Sequence, residues 1–320
     1  MDLIYTNSNR VDQGVLHAYS MDLSYGAEEN DFELTVSQSE AVLQTGAVVY
    51  CEGTEYGGII DGMKTSSNAE TITYYGRTWH GILNSKVLLP IEGEDYLEAS
   101  GTGFMLLTLL VARMGLNELF NVTRGEYICI NLYRFARYCK GYDGFVDMLA
   151  SGGAKLKIEW KDRKVQLSAV PIVDYTNYPV DSDMAVLTVE RYDNKVNQLI
   201  CLGRGELAER EVIDLYVDQF GRIGDVKYYT GAQEYVDVYD NSNAESYDEL
   251  RSEGVKRLKE LRDCDTSEIA IIDNPNLIYD IGDIVGATEI RSGIKVSATV
   301  TQKIVRIKNG VANIEYKTGG

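Results

Sequence analysis

The side chains that carry most enzymatic chemistry are sparse in this sequence and poorly spaced for it. Two histidines, His17 and His80, stand far apart. Neither lies in an H-E-x-x-H pair that would set two imidazoles on one helix face for zinc, and no G-x-S-x-G nucleophile turn exists. The phosphate-cradling G-x-x-x-x-G-K-[ST], a strand-borne G-x-G-x-x-G and an EF-hand loop are also missing. The cysteines Cys51, Cys129, Cys139, Cys201 and Cys264 are odd in number and contain no C-x-x-C, so they read as reduced, partly buried thiols rather than a disulfide framework or zinc site. With 49 Asp and Glu, some acidic pair always matches a glycosidase dyad, so their number selects nothing. His17 sits in an alternating stretch and reads as a packed or interface residue. Arg77 suits an anion or a neighbouring carboxylate, and in so acidic a chain a local salt bridge is favoured. Asn121-Val122-Thr123 matches a glycosylation acceptor by chance, since no secretion signal accompanies it. The expected site is therefore empty: no catalytic residue, no metal ligand, no cofactor-binding residue and no cofactor.

Charge and length narrow the classes further. A net charge of −18 repels nucleic-acid phosphates and anionic membrane surfaces, which argues against a sequence-independent nucleic-acid binder. The 320 residues suffice for two to three domains. Few Pro (4) and 44% hydrophobic residues argue against disorder, while 23 Tyr and 30 Gly suit a β-rich chain with many turns. The start, MDLIYTNSNR, is neither basic nor apolar, and the longest apolar run, Phe104 to Ala112, is too short to span a bilayer. A cytosolic product without membrane insertion is expected.

The elements that must position these residues are mostly strands. Near the C-terminus, Tyr279 to Val285 reads as a tight turn feeding a strand, and Ile294, Val296, Ala298 and Val300 alternate with polar residues. Asn309-Gly310 predicts a two-residue hairpin whose register pairs Ile307 with Ala312 and Val305 with Ile314, with Arg306, Asn313 and Glu315 on the other face. The same order of pieces recurs at Leu43 to Val49, Gly58 to Thr65 and Thr71 to Gly76, which reads as a degenerate internal duplication into two antiparallel barrels. Val15, His17, Tyr19, Met21, Leu23 and Tyr25 share one face of a long alternating segment that Phe32, Leu34 and Val36 continue.

The middle differs. Gly103 to Met114 is apolar nearly all round and predicts a buried helix, with Ser100 or Thr102 as N-cap and Gly115 as left-handed C-cap. A strand over Glu126 to Leu132 precedes a short helix with Tyr142, Phe145, Val146 and Leu149 on one face, stopped by Gly152-Gly153. Leu156, Ile158 and Trp160 face Val165, Leu167 and Ala169 across a Lys-Asp-Arg-Lys turn, and Tyr178-Pro179 ends the domain. Strands over Ala185 to Val189 and Val196 to Leu202 open the second barrel. A surface helix over Ala244 to Arg262 carries Tyr247, Leu250, Gly254, Leu258 and Leu261 on one stripe, with Ser242 and Glu245 as capping box. The expected fold is mainly β with an α+β insertion. Residues 1–97 form one barrel, 98–180 an α/β domain, 181–240 with 267–320 a second barrel, and 241–266 a helical insertion.

In this order, Asp31-Phe32-Glu33-Leu34, the Gly46-Ala-Val-Val strand, Thr71 to Arg77 with its Trp79-to-Leu89 continuation, Gly282-Asp283-Ile284-Val285 and Ile314 to Gly320 resemble the bacteriophage tail-tip or baseplate hub family. The resemblance spans nearly the whole chain. It implies two tail-tube-like barrels and a non-enzymatic homotrimer in the virion tail, assembled in the host cytoplasm. Such a trimer adapts a six-fold tail tube to a three-fold tip and lines part of a channel through which DNA passes without specific binding. Implied partners are the tail tube or distal tail protein above, the spike and other baseplate proteins below, and the tape measure protein. Family members with a fused lysin carry a long C-terminal extension; here the sequence stops at the last expected strand. The competing class is a tail-associated cell-wall glycan hydrolase, which a deep acid-lined groove would favour.

Overall fold

The structure, a computed structural model, describes residues 1–37, 39–40, 42–68, 70–177, 195–262, 277–288, 293, 295–308 and 310–319, with the backbone of 185–190 and 266–272. It is mainly β, with a curled half-barrel sheet and a few helices. Two compact units divide the chain: Met1–Leu187 with Glu268–Gly320, and Thr188–Ser267.

The first unit opens with β1 (Leu3–Thr6), β2 (Asp12–Leu16), β3 (Tyr19–Gly26), β4 (Asp31–Ser37), β5 (Val48–Tyr50), β6 (Gly57–Lys64) and β7 (Thr71–Thr78). Tyr19, Met21 and Leu23 pair in register with Val36, Leu34 and Phe32, and all six are buried, as the alternation requires. The alternation does not reach back to His17. A break at His17-Ala18 shifts the phase by one, so Leu16 is buried while Val15 and His17 are exposed. After β7 the chain turns into a helix that the sequence pattern did not announce, α1 (Trp79–Asn84), where Thr78 Oγ1 accepts the Gly81 N–H.

The insertion comprises β8 (Glu98–Thr102), α2 (Gly103–Arg113), β9 (Phe120–Val122), β10 (Cys129–Arg134), α3 (Gly141–Ser151), β11 (Ala154–Lys161) and β12 (Lys164–Pro171). Thr102 caps α2 through the Met105 N–H, and Gly115 follows it with φ +70°. The expectation that α2 is buried all round fails. Met105 and Leu109, one turn apart, are 60% and 62% exposed, because only the Leu106, Leu107, Leu110 and Val111 side meets the core. The strand expected at Glu126 begins three residues later. Tyr142, Phe145, Met148 and Leu149 of α3 are buried, and the β11–β12 hairpin pairs Leu156 with Ala169, Ile158 with Leu167 and Trp160 with Val165. Asp162 and Arg163 take positive φ at its turn. One core crosses residue 97: Tyr50 and Trp79 stack on Trp160 at centroid distances of 4.5 and 5.1 Å. Apolar faces of strands and insert are thus buried against each other rather than in separate cores.

After β13 (Ala185–Glu190) comes the second unit: β14 (Gln198–Leu202), β15 (Val212–Val217), β16 (Ile223–Gly224), β17 (Val236–Asp240) and α4 (Tyr247–Arg262). Its sheet order is β16-β15-β14-β17, with β14 and β17 parallel. The expected layout placed 181–240 in an antiparallel barrel with 267–320. These four strands instead form a sheet of their own, because Leu199, Cys201, Ile213 and Leu215 bury Leu250 and Leu258 of α4. Gly254 sits where any side chain would meet Cys201 Sγ at 2.5 Å. The helix starts later than expected and is capped by a different pair. Ser246 Oγ accepts the Glu249 N–H and the Glu249 carboxylate accepts the Glu245 N–H, while Tyr247 is exposed.

The chain then returns to the first unit as β18 (Thr266–Ile272), β19 (Ile284–Thr288), β20 (Lys295–Lys308) and β21 (Val311–Gly319). The twelve-stranded sheet runs β13-β18-β21-β20-β3-β4-β7-β6-β5-β1-β2, with β19 beside β20. Ile307 pairs with Ala312 and Val305 with Ile314 as the hairpin register predicts; Asn309, Ile294 and Tyr178-Pro179 lie outside the described residues. A bulge between Val300 and Gln302 reconciles two apolar phases. Before it, Ala298 and Val300 pack with Tyr279, Val285 and Tyr316; after it, Val305 and Ile307 join the core of β3 and β4.

Candidate functional site

Ionisable side chains converge where the insert meets the strands of the first unit. The turn before β19 is the first anchor. Gly282 holds φ +98°, and a side chain there would stand 3.0 Å from Lys155 Cβ, so glycine lets the turn close over β11. Lys155 Nζ donates to both carboxylate oxygens of Asp283 at 2.7 Å and to Asp280 Oδ2 at 2.9 Å. Asp283, 0% exposed, also accepts the Val173 and Asp280 N–H groups. The buried charges are thereby paired and hydrogen-bonded, the condition under which a low-dielectric interior tolerates them.

The second anchor lies on β20. Counting back by twos from Ile307 and Val305 puts Lys303 on the inward face, where it is 2% exposed and bonded to Glu55 Oε1 at 2.5 Å. Burial alone lowers a lysine pKa, but the carboxylate of Glu55 and the phenols of Tyr56 and Tyr316 outweigh it, and Lys303 is raised. His80 is buried beside them, its ring stacked on Tyr25 at 4.6 Å and edge-on to Tyr142 at 5.1 Å. Its Nε2 is 3.8 Å from Glu55 Oε2, and neither His80 Nδ1 nor Tyr25 Oη has a hydrogen-bond partner. Burial, helped by Lys303, pushes His80 down to about 3, so it is neutral at physiological pH. The imidazole is a ring in a stack with no poised proton.

A pH prediction follows from that shift. Below about pH 6.5 the unfolded chain protonates His80 and the folded chain does not, until about pH 3. This group therefore removes about 1.4 kcal/mol of stability per pH unit in that window. His80→Phe, which keeps the stack on Tyr25, is expected to be about 2 kcal/mol less destabilised than the wild type on moving from pH 7 to pH 5. Urea unfolding at the two pH values measures it; identical losses in both proteins would contradict a buried neutral His80.

Two clefts flank this seam and share Tyr142, Leu156 and Ile281. One, of ≈ 380 Å³, is polar, with Glu55, Glu159, Asp280, His80 and Lys303 in its wall. Each of its carboxylates faces a lysine: Glu55 meets Lys303, Asp280 meets Lys155, and Glu159 meets Lys157 at 3.5 Å. The other, of ≈ 460 Å³, has mostly apolar walls. Elsewhere Arg77 is engaged by Asp61 through two contacts of 2.8 Å, a local salt bridge as expected. Cys51 and Cys201 are buried, which raises each thiol to about 11; Cys139 is partly buried and Cys129 exposed, and all four are free thiols. Cys264 lies outside the described residues. Nothing in the sequence pattern brings Lys155, Lys303, Glu55 and His80 to one seam. Only Lys303 left a trace, sharing the parity of Val305 and Ile307.

No family model matches this sequence, and no curated protein matches it. Solved structures match over almost its entire length. The 43 kDa tail protein of prophage MuSo2 from Shewanella oneidensis is 11% identical with a TM-score of 0.52, covering 99% of this chain and 98% of that one. Prophage tail protein gp18 from Listeria monocytogenes EGD-e is 12% identical with a TM-score of 0.51, covering 99% and 94%. A chain of the p2 virion baseplate in its activated conformation is 10% identical with a TM-score of 0.52, covering 100% and 99%. This chain has the mainly β fold found in phage tail and baseplate proteins.

Proposed function

We propose that the chain is the structural hub of a phage tail tip or baseplate, a homotrimer that joins a six-fold tail tube to a three-fold tip. The observation that carries this reading is the shared fold over nearly the full length of both chains in each comparison. Sheet geometry supports it. The large sheet ends on β2 and β13, whose outer edges pair with no other strand among the described residues, and a ring of copies covers such edges. The two strand sets joined in the large sheet, β1–β7 and β18–β21, would give a trimer six such sets. The proposed neighbours are the tail tube or distal tail protein above, the spike and other baseplate proteins below, and the tape measure protein. Immunogold labelling of purified tails should mark the distal end; label on the head or along the tail shaft would contradict the hub.

The acidity fits a channel for DNA. Exposed Asp22 and Glu33 stand directly opposite each other on β3 and β4, with Arg306 across from Asp22 on β20, and the patch stays acidic on balance. In an assembled trimer the bore is expected to be net negative or near neutral, with Lys and Arg gathered on outer and subunit-facing surfaces. Basic side chains in the bore would exchange counterions with DNA and retard it. Mapping the bore's side chains in particle images tests this, and a bore lined mainly by Lys and Arg would contradict it. Asp22, Glu29, Asp31 and Glu33 line one cleft of ≈ 470 Å³ together with Arg306, so the hydrolase reading, which needs an acid-lined groove, is not limited to the carboxylates of the polar cleft. The pairing of the latter with lysines supports a structural role, and zymography on cell walls should give no cleared band.

A further inference from the structure

The larger cleft has a chemistry that the hub reading leaves unused. Helix α3 presents two faces. Phe145, Met148 and Leu149 enter the core, while Val146 and Ala150, with Asp143 and Asp147 beside them, line the cleft. Leu156, Ile172, Ile281 and Val300 form the opposing walls. Val146, Leu156, Ile172 and Ile281 are only partly buried, so apolar surface remains open to solvent inside a space of ≈ 460 Å³, a size typical of binding pockets. Lys155 also touches the cleft, but its ammonium is held by Asp280 and Asp283. The charges left to the cleft lining are Asp143 and Asp147, exposed carboxylates one helical turn apart, with Lys140 near Asp143 outside the lining.

We propose that the cleft between α3 and the β19–β20 end of the sheet seats a peptide segment of a partner protein that carries a lysine or arginine beside an aliphatic residue. The aliphatic group covers Val146, Ala150 and Ile281, and the cation lies between Asp143 and Asp147. The charge complementarity is specific: an acidic or uncharged segment gains nothing from the two carboxylates. This site does not depend on the hub reading and belongs to whichever assembly contains the chain.

The probe is n-hexylammonium, with n-hexanol as the uncharged control, titrated into the full chain at low salt while methyl NMR signals are followed. The ammonium is expected to shift the methyls of Val146, Leu156, Ile281 and Val300 and to bind about fivefold tighter than hexanol. Asp143→Asn/Asp147→Asn should erase that preference while hexanol still binds. Ala150→Trp, at an exposed position, should block both ligands while leaving the Met21 methyl in the core of β3 and β4, outside the cleft lining, unchanged. Equal affinity for both probes, or an unchanged preference in the double Asn variant, would overturn the acidic part. Absence of shifts in the cleft methyls of the wild type would overturn the site. Self-association that Ala150→Trp abolishes, with no probe binding, would overturn it in favour of a second copy.

Discussion

Asp283→Asn is expected to destabilise the first unit by about 3–5 kcal/mol, the cost of leaving a buried charge without its partner. Asp283 is fully buried and accepts from Lys155 Nζ and two backbone N–H groups. Asparagine keeps the shape but presents an NH₂ group to a site that holds only donors. Lys155, 6% exposed, then retains only the half-exposed Asp280 carboxylate. Both tryptophans, Trp79 and Trp160, lie in this unit's core, so fluorescence during urea unfolding reports this unit specifically. The midpoint should fall with little change in slope. A loss below about 1 kcal/mol would show that the turn is held by backbone contacts rather than by the ion cluster.

Lys303→Met is expected to cost a similar ~3–5 kcal/mol, since it strands Glu55 beside His80, Tyr56 and Tyr142. The decisive variant is the double one. Lys303→Met/Glu55→Gln removes both charges and should recover at least half of the loss, because neutral or apolar replacement of a whole buried pair is tolerated far better than removal of one member. The pH sign is fixed by the raised lysine. Its stabilisation is fully present below the ordinary lysine value of 10.5 and is lost only as pH rises beyond it. Neutral pH therefore leaves the pair intact. Additive losses in the double variant would contradict a coupled pair.

Strands and hairpins were legible because their signals are local. The β11–β12 register and the β20–β21 register both follow from period-two apolar runs meeting at a short turn, and one shifted residue would invert every side chain. Caps were legible for the same reason when the residue and its helix start were adjacent, as at Thr102. The α4 cap is ambiguous in sequence because Ser242/Glu245 and Ser246/Glu249, four residues apart, carry the same spacing, and only packing of Leu250 and Leu258 on the sheet chooses between them. The exposed side of α2 is illegible because composition cannot say which side of an apolar helix finds a partner. The ion clusters were illegible because Lys155 and Asp283, or Glu55 and Lys303, meet only after distant strands pair. The break at His17-Ala18 shows the limit within a single segment, where alternation continued in sequence across a point at which the strand had ended.

Particle images of an assembled tail, resolved well enough to count subunits in the layer that contains this chain, test the hub most directly. Three copies around the tail axis, beneath the tube, are expected. One copy, six copies, or a position away from the tail tip would contradict it.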